Sequence, residues 1–417
     1  MLIKNAKLAN NEIVDIHIQS GKFVKIEKNI EVTGKEILDL QGKYILPGMV
    51  DVHTHMREPG LIHKEGFESG SKACAKGGIT TFADMPNTNP ATLTVEALEE
   101  KRKLAEASSI VDYAFHFGGS VNNNANEIRK AQGVIGTKVF LNVSTGKLLV
   151  EDDNVLDDIF AASKIVSVHA EEEMVAKAIN LAKKHKKKLY LAHISLESEL
   201  NTVREMKKDY EDIYVEVTPH HLYLTEDMTK DNQMLRMKPE LKSQKDVEAL
   251  WAGIADGTIN TIGTDHAPHL VSEKMANITF GIPGVEWALP LILDAVNKGK
   301  VTLEKVCELY AENPAKFFGI KNKGEIKIGY DADFSVVDMD KNYTIKEEET
   351  VSKCAWTPYK NWEAFCLDNI AKHLGNIEKE QGVGLVVHDN YIVLDQLLRG
   401  RKAFTKKMKN AYNNLIN

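Results

Sequence analysis

The sequence predicts an α/β protein, a (β/α)8 TIM-type barrel with a small β domain built from both chain ends. Two observations carry this prediction. Eight short apolar runs follow one another between residues 49 and 265, most of them separated by helix-like segments. Outside that stretch, at both ends of the chain, short runs alternate apolar and polar residues in the manner of exposed antiparallel strands.

From the amino terminus, LIKNAKL, IVDIHI, FVKIEKN and EILDL alternate and are separated by Gly, Asn and Lys clusters. Similar strands return in GEIKIGYDADFSVVD at 324–338, so the two ends are expected to form one domain. The domain boundaries read as 1–47 for its first part, 48–320 for the barrel, and 321–417 for its second part with an atypical tail.

The eight barrel strands read as MVDVHTH (49–55), ITTFADM (79–85), VDYAFHF (111–117), TKVFLN (137–142), IVSVHAE (165–171), KLYLAHIS (188–195), IYVEVTPH (213–220) and INTIGTD (259–265). Helices are expected over 94–107, 200–210 and 243–257. A barrel of this type takes about 250 residues, which the span allows.

Composition excludes several classes. A net charge of −7 and a pI near 6.1 leave no basic footprint for nucleic acid. KKHKKK at 183–188 follows an amphipathic segment and reads as a solvated helix end. Four scattered cysteines with no C-x-x-C argue against a disulfide framework and a thiolate zinc site. The first residues lack the order of a signal peptide, and no apolar run reaches the roughly 20 residues of a membrane span. Cytoplasmic location and a small-molecule substrate, with no nucleic-acid or membrane partner, are therefore expected.

The chemistry collects at the carboxyl ends of the strands, the working face of such barrels. Strand one ends in His53 and His55, which share a face because side chains two apart in a strand point the same way. Strand four carries Lys138, strand five ends in His169, strand six in His193 and strand eight in Asp265. Four histidines and a carboxylate on one rim suit a divalent ion such as zinc. A lysine ammonium would repel cations, but the carbamate it forms with carbon dioxide is anionic and can bridge two of them. Two ions about 3.5–4 Å apart lower the pKa of a water and polarise a carbonyl, which predicts hydrolysis or its reverse.

This set resembles the amidohydrolase superfamily. Within it, DVHTHMREPG, MPNTNP, TDHAPH, FGIPGVE and SKCAWTP are similar to the dihydroorotase family, whose members interconvert N-carbamoyl-L-aspartate and L-dihydroorotate in pyrimidine biosynthesis. The likeness covers about residues 1–362. It implies two zinc ions per chain, bridged by carboxylated Lys138. His53 and His55 would hold the first with Asp265, and His169 and His193 the second. Asp265 would also serve as general base and acid. KVFLN resembles the lysine version of the bridge, while Asp152 and Asp153 in the following loop offer a carboxylate alternative.

Dihydroorotate is a cyclic imide with a free carboxylate, so its enzyme needs cationic or amide donors. The resemblance assigns that contact to Arg57, Asn87 and His269, with His55 also in the substrate site and Phe280 and Gly281 as a lining pair. Lys238 stands where relatives show Asn or Arg, and neighbouring Arg236 is its alternative. His220 and His221 are given a structural role, and His63, His116, His185, His266, His373 and His388 none. The stretch after strand seven, LTEDMTKDNQMLRMKPELKS, reads either as a cover over the site or as a connector.

The rivals are an allantoinase or dihydropyrimidinase, against which Arg57 and Asn87 argue, and a non-catalytic scaffold relative, against which the full ligand set argues. A homo-oligomer and an association with aspartate transcarbamoylase are the partners the resemblance brings. The tail after Phe365 departs from the family pattern. GLVVHDNYIVLD reads as a hairpin of the β domain and the last Lys-rich segment as a surface helix or partner contact.

Overall fold

The computed structural model describes residues 1–32, 37–144, 148–276 and 279–367, with two further strands at 384–388 and 391–395. The chain opens with β1 (Leu2–Lys7), β2 (Ile13–Gln19), β3 (Lys22–Glu27), β4 (Ile37–Asp39) and β5 (Tyr44–Pro47). The barrel follows as β6 (Met49–Thr54), β7 (Ile79–Asp84), β8 (Asp112–Gly118), β9 (Gly136–Phe140), β10 (Ile165–His169), β11 (Lys188–Leu191), β12 (Ile213–Val217) and β13 (Thr261–Ile262). Then come β14 (Phe334–Thr344), β15 (Glu363–Leu367), β16 (Gly384–His388) and β17 (Tyr391–Asp395).

Strands β6 to β13 pair in chain order, all parallel, with helices between them. The ring closes through a parallel bridge between Thr54 and His266, where the His55 amide donates to the His266 carbonyl at 2.8 Å. Closure therefore places the ends of the first and eighth strands side by side. The expected helices stand at Val95–Ser108, Glu197–Lys207 and Gln244–Ala255. Thr94 and Ser243 cap two of them, each accepting from an amide three residues on.

Strand residues facing the helices, such as Phe82, Val139, Val166, Val168, Leu191, Val215 and Val217, are fully buried with the helices' apolar faces. Complete burial of each is worth about 1.5–3 kcal/mol. A second cluster of Val50, Val52, Ala83, Tyr190 and Ala192 packs on Phe317 and Phe318, from the helix Asn313–Phe318.

Several elements end earlier than the sequence pattern implies. Strand six stops at Leu191, two residues before His193, which takes a left-handed φ of 38°. Strand eight is only Thr261–Ile262, and Asp265 beyond it has φ 45°. In TPHH, Thr218 accepts from the His221 amide and Pro219 opens the helix Pro219–Tyr223, so strand seven ends at Val217. GEIKIG is turn rather than strand, with Gly324 at φ +85° and Gly329 at φ +88°.

Among the described residues the terminal sheet has the order β16-β17-β14-β5-β1-β2-β3, with β15 beside β14 and β4 beside β1. Both chain ends thus share one sheet, and within GLVVHDNYIVLD the strands 384–388 and 391–395 pair antiparallel, as expected. The last Lys-rich segment lies outside the described residues. Among the described residues no helix is long and apolar enough to cross a membrane.

Candidate active site

His53 stands at the end of β6, and its Nδ1 lies 2.7 Å from Glu216 Oε1. A carboxylate only accepts, so Nδ1 carries a hydrogen and Nε2 is the atom left for a metal ion or a second proton. His55 repeats this logic, with Nδ1 at 2.7 Å from Asn87 Oδ1. Both Nε2 atoms then face the same oxygen, Asp265 Oδ1, at 3.2 Å for His53 and 3.0 Å for His55. Lone pairs confronting a carboxylate oxygen call for positive charge between them. Two ligands each about 2.0 Å from one tetrahedral ion stand roughly 3.3 Å apart, so these spacings suit a shared zinc.

Ligand atoms of His53, His193 and Asp265 all lie within 4.8 Å of one another. His169 Nδ1 is 3.0 Å from His193 Nε2, and the two rings meet edge to face with centroids 4.6 Å apart. His193 Nδ1 has no hydrogen-bond partner among the described residues. Lys138 Nζ likewise has no hydrogen-bond partner among the described residues, lies 5.3 Å from the centre of the Phe140 ring, and belongs to a residue 1% exposed. A buried ammonium without a partner is costly, and burial brings Lys138 down to about 8 although Glu216 and Asp265 oppose the shift. The neutral amine is the form that reacts with carbon dioxide, so the donor set fits a carbamate-bridged metal pair.

Electrostatics point the same way. Burial works against charge on His53, but Glu216 and Asp265 outweigh it and push the imidazole up to about 9. His55 is brought down to about 4 by burial despite Asp265. Burial would raise Asp265, yet His53 and His55 hold it well below the usual carboxylate range. Three site residues, Arg57, His193 and Asp265, have φ of 63°, 38° and 45°, a region unfavourable for side chains with a Cβ.

A cleft above these ligands is lined by His55, Arg57, Asn87, Ser144, Lys238, Asp265, Ala267, Phe280 and Gly281. It gathers seven residues that the sequence reading placed in the catalytic or substrate site. His269 stands behind it, with Nε2 3.2 Å from Arg57 Nη2 and Nδ1 3.2 Å from Lys64 Nζ. Burial and the cations Arg57, Lys64 and Lys274 bring its imidazole down to about 2. Of the two alternatives after strand seven, Lys238 lines the cleft, whereas Arg236 is exposed. Asp152 is used in capping the helix Asp153–Ala162, where it accepts from Asn154 and Val155.

The sequence reading missed Glu216, which is fully buried in β12. Its Oε1 meets His53 and accepts from the His193 amide at 2.9 Å, and its Oε2 accepts from Tyr190 Oη at 2.8 Å. A Cβ on Gly263 would come within 2.2 Å of Glu216 Oε2, so the glycine of TIGTD makes room for it. An acid inside the apolar run IYVEV was the available signal. Of the two histidines given a structural role, His221 joins Thr218 and the Pro239 carbonyl, whereas both ring nitrogens of His220 are buried without a hydrogen-bond partner among the described residues. Ser144, in the loop after β9, carried no sequence signal.

The barrel and this histidine-rich rim define a hydrolase: residues 44–362 match the amidohydrolase family, and the chain belongs to it. Its relatives include proteins named dihydroorotase. The one from Pyrococcus furiosus is 38% identical over 364 residues, 83% of this chain and 84% of that one. The one from Methanosphaera stadtmanae is 34% identical over 422 residues, 90% and 96% of the two chains. Among solved structures, L-hydantoinase (dihydropyrimidinase) from Arthrobacter aurescens superposes with a TM-score of 0.83 at 28% identity, covering 87% of this chain and 92% of that one.

Proposed function

We propose that the protein is a zinc-dependent dihydroorotase, catalysing the reversible cyclisation of N-carbamoyl-L-aspartate to L-dihydroorotate. The observation that carries the reading is the juxtaposition, in one cleft, of the ligands His55 and Asp265 with Arg57 and Lys238, donors suited to a free carboxylate. Relatives named dihydroorotase along most of the chain support it.

His53, His55, Lys138 as its carbamate, His169, His193 and Asp265 would hold two zinc ions. When bound, these supply a water of lowered pKa and polarise the ring carbonyl. Asp265 takes the proton of the attacking water and returns it to the departing ring nitrogen; in the reverse direction it removes the proton from the carbamoyl nitrogen. Arg57, turned inward by its left-handed backbone and braced by the Pro268 carbonyl at 3.1 Å, binds the substrate carboxylate with Lys238. His269 acts from behind Arg57, and Asn87 holds His55 by its Oδ1. Phe280 and Gly281 form the wall against the ring.

The hydantoinase likeness motivates the competing reading, a cyclic amide lacking the carboxylate. Purified protein with its zinc content measured is offered dihydroorotate, carbamoyl-aspartate, hydantoin, dihydrouracil and allantoin. Turnover of the first two is expected. Opening of a neutral ring with none of dihydroorotate would replace the proposal with a hydantoinase-type activity.

A further inference from the structure

Lys274 lies on the short helix Val271–Ala276, nine residues past Asp265, and is 2% exposed. Among the described residues its ammonium meets no carboxylate. It donates instead to three backbone carbonyls, of Arg236 at 2.8 Å, Thr279 at 3.2 Å and Gly281 at 3.0 Å. Three donors and three acceptors match the full capacity of an ammonium. The acceptors belong to two segments distant in sequence. Arg236 precedes by two residues Lys238, which lines the cleft, and Thr279 and Gly281 flank Phe280.

The second segment is fixed to the catalytic end of the barrel. The Ala267 amide donates to the Ile282 carbonyl at 2.8 Å, and His266 and Ile282 form a parallel bridge. Gly281 has φ +128°, and a Cβ there would meet the Ala267 carbonyl oxygen at 2.6 Å, so this wall sits as close to Ala267 as a backbone can. The first segment joins it through the Gly281 amide, which donates to Arg236 O at 3.0 Å, and through Lys274. Arg236 O thus receives two hydrogen bonds from across the junction, one from the Gly281 amide and one from Lys274 Nζ.

We propose that Lys274 is a positioning residue for substrate binding: its ammonium staples the loop bearing Lys238 to the wall bearing Phe280 and Gly281, setting where Lys238 stands relative to Asp265. Lys274 does not line the cleft, and it acts through the residues it holds. Replacing it with an apolar side chain of similar length removes the lysine's donor from the Thr279 and Gly281 carbonyls and leaves Arg236 O with the Gly281 amide alone, which loosens the junction rather than the metal site.

The proposal rests on the dihydroorotase reading for its kinetic consequence, but the staple itself can be tested without substrate. In full-length, zinc-loaded protein, Lys274→Met is expected to speed amide exchange at Lys238 and Gly281 while zinc content stays at the wild-type level. KM for dihydroorotate should rise roughly tenfold, with kcat within about threefold. In a Lys238→Met background the same change should add little, because residues acting as one unit are not additive. Wild-type exchange at both amides, or a KM effect undiminished in the Lys238→Met background, overturns the staple. Failure of the wild type to turn over dihydroorotate would instead defeat the functional reading and leave the exchange result standing. If Lys274→Met does not fold, Lys274→Gln, with two donors on a shorter stem, is measured in the same way, and wild-type KM and exchange there overturn the proposal.

Discussion

Two clusters of metal-ligating side chains sit at opposite ends of the barrel strands. At the carboxyl end stand His53, His193 and Asp265; at the amino end Asp112, at the start of β8, meets Asp331 and Asp333 just before β14. The second cluster already contains its cation. Lys323 Nζ pairs with Asp112 and Asp333 and lies 3.2 Å from Asp331, which also takes Lys22 at 2.7 Å. This is a clamp between the barrel and the terminal sheet. In the first cluster two imidazoles turn their Nε2 atoms to one carboxylate oxygen, and among the described residues Lys138 Nζ and His193 Nδ1 are buried without hydrogen-bond partners. Similar groups therefore do different work, and the distinction lies in whether the protein itself completes them.

The largest expected effect breaks the unsaturated end. Asp265→Ala removes both the proton carrier and a ligand, and dihydroorotate hydrolysis should fall by about 10³ or more in a protein with a wild-type circular-dichroism spectrum. Next comes the bridge. Lys138→Ala should lower bound zinc from about two per chain to one or fewer, and short-chain carboxylic acids added to the assay should restore part of the activity, since they can stand in for the carbamate. Retention of two zinc ions by this variant would remove the lysine from the metal site.

The amino-end cluster should respond in stability and not in chemistry. Lys323→Met leaves Asp331 and Asp333, 8% and 4% exposed, without their shared cation. Breaking buried pairs of this kind costs about 3 kcal/mol, read by urea denaturation, while kcat stays at the wild-type value. The smallest effect sharpens the contrast. Asp112 is 44% exposed on its side chain, so Asp112→Asn should change stability by no more than about 0.5–1 kcal/mol. A large loss of activity in either variant would mean that the two ends are coupled.

What was legible in the sequence follows from period and position. Eight apolar runs in order, five of them carrying a His, Lys or Asp of the site, imply the barrel and its rim because parallel strands put their carboxyl ends on one face. The cleft residues Asn87, Phe280 and Gly281 were reached through motif resemblance rather than spacing. What stayed hidden depends on contacts across long sequence separations. Glu216 meets His53 over 163 residues. Lys323 reaches Asp112 over 211. Lys274 holds Arg236 over 38. No local pattern encodes such pairings. The early ends of strands six and eight were hidden for another reason: His193 and Asp265 adopt left-handed backbone, which residue type alone does not announce.

The most direct test of the contrast is zinc bound per chain in three purified proteins: the wild type, His53→Ala and Asp112→Asn. The account predicts about two ions in the wild type and in Asp112→Asn, and a loss of at least one in a folded His53→Ala. Undiminished zinc in His53→Ala, or its loss in Asp112→Asn, would contradict the claim that only the carboxyl-end cluster is built to take a metal from outside.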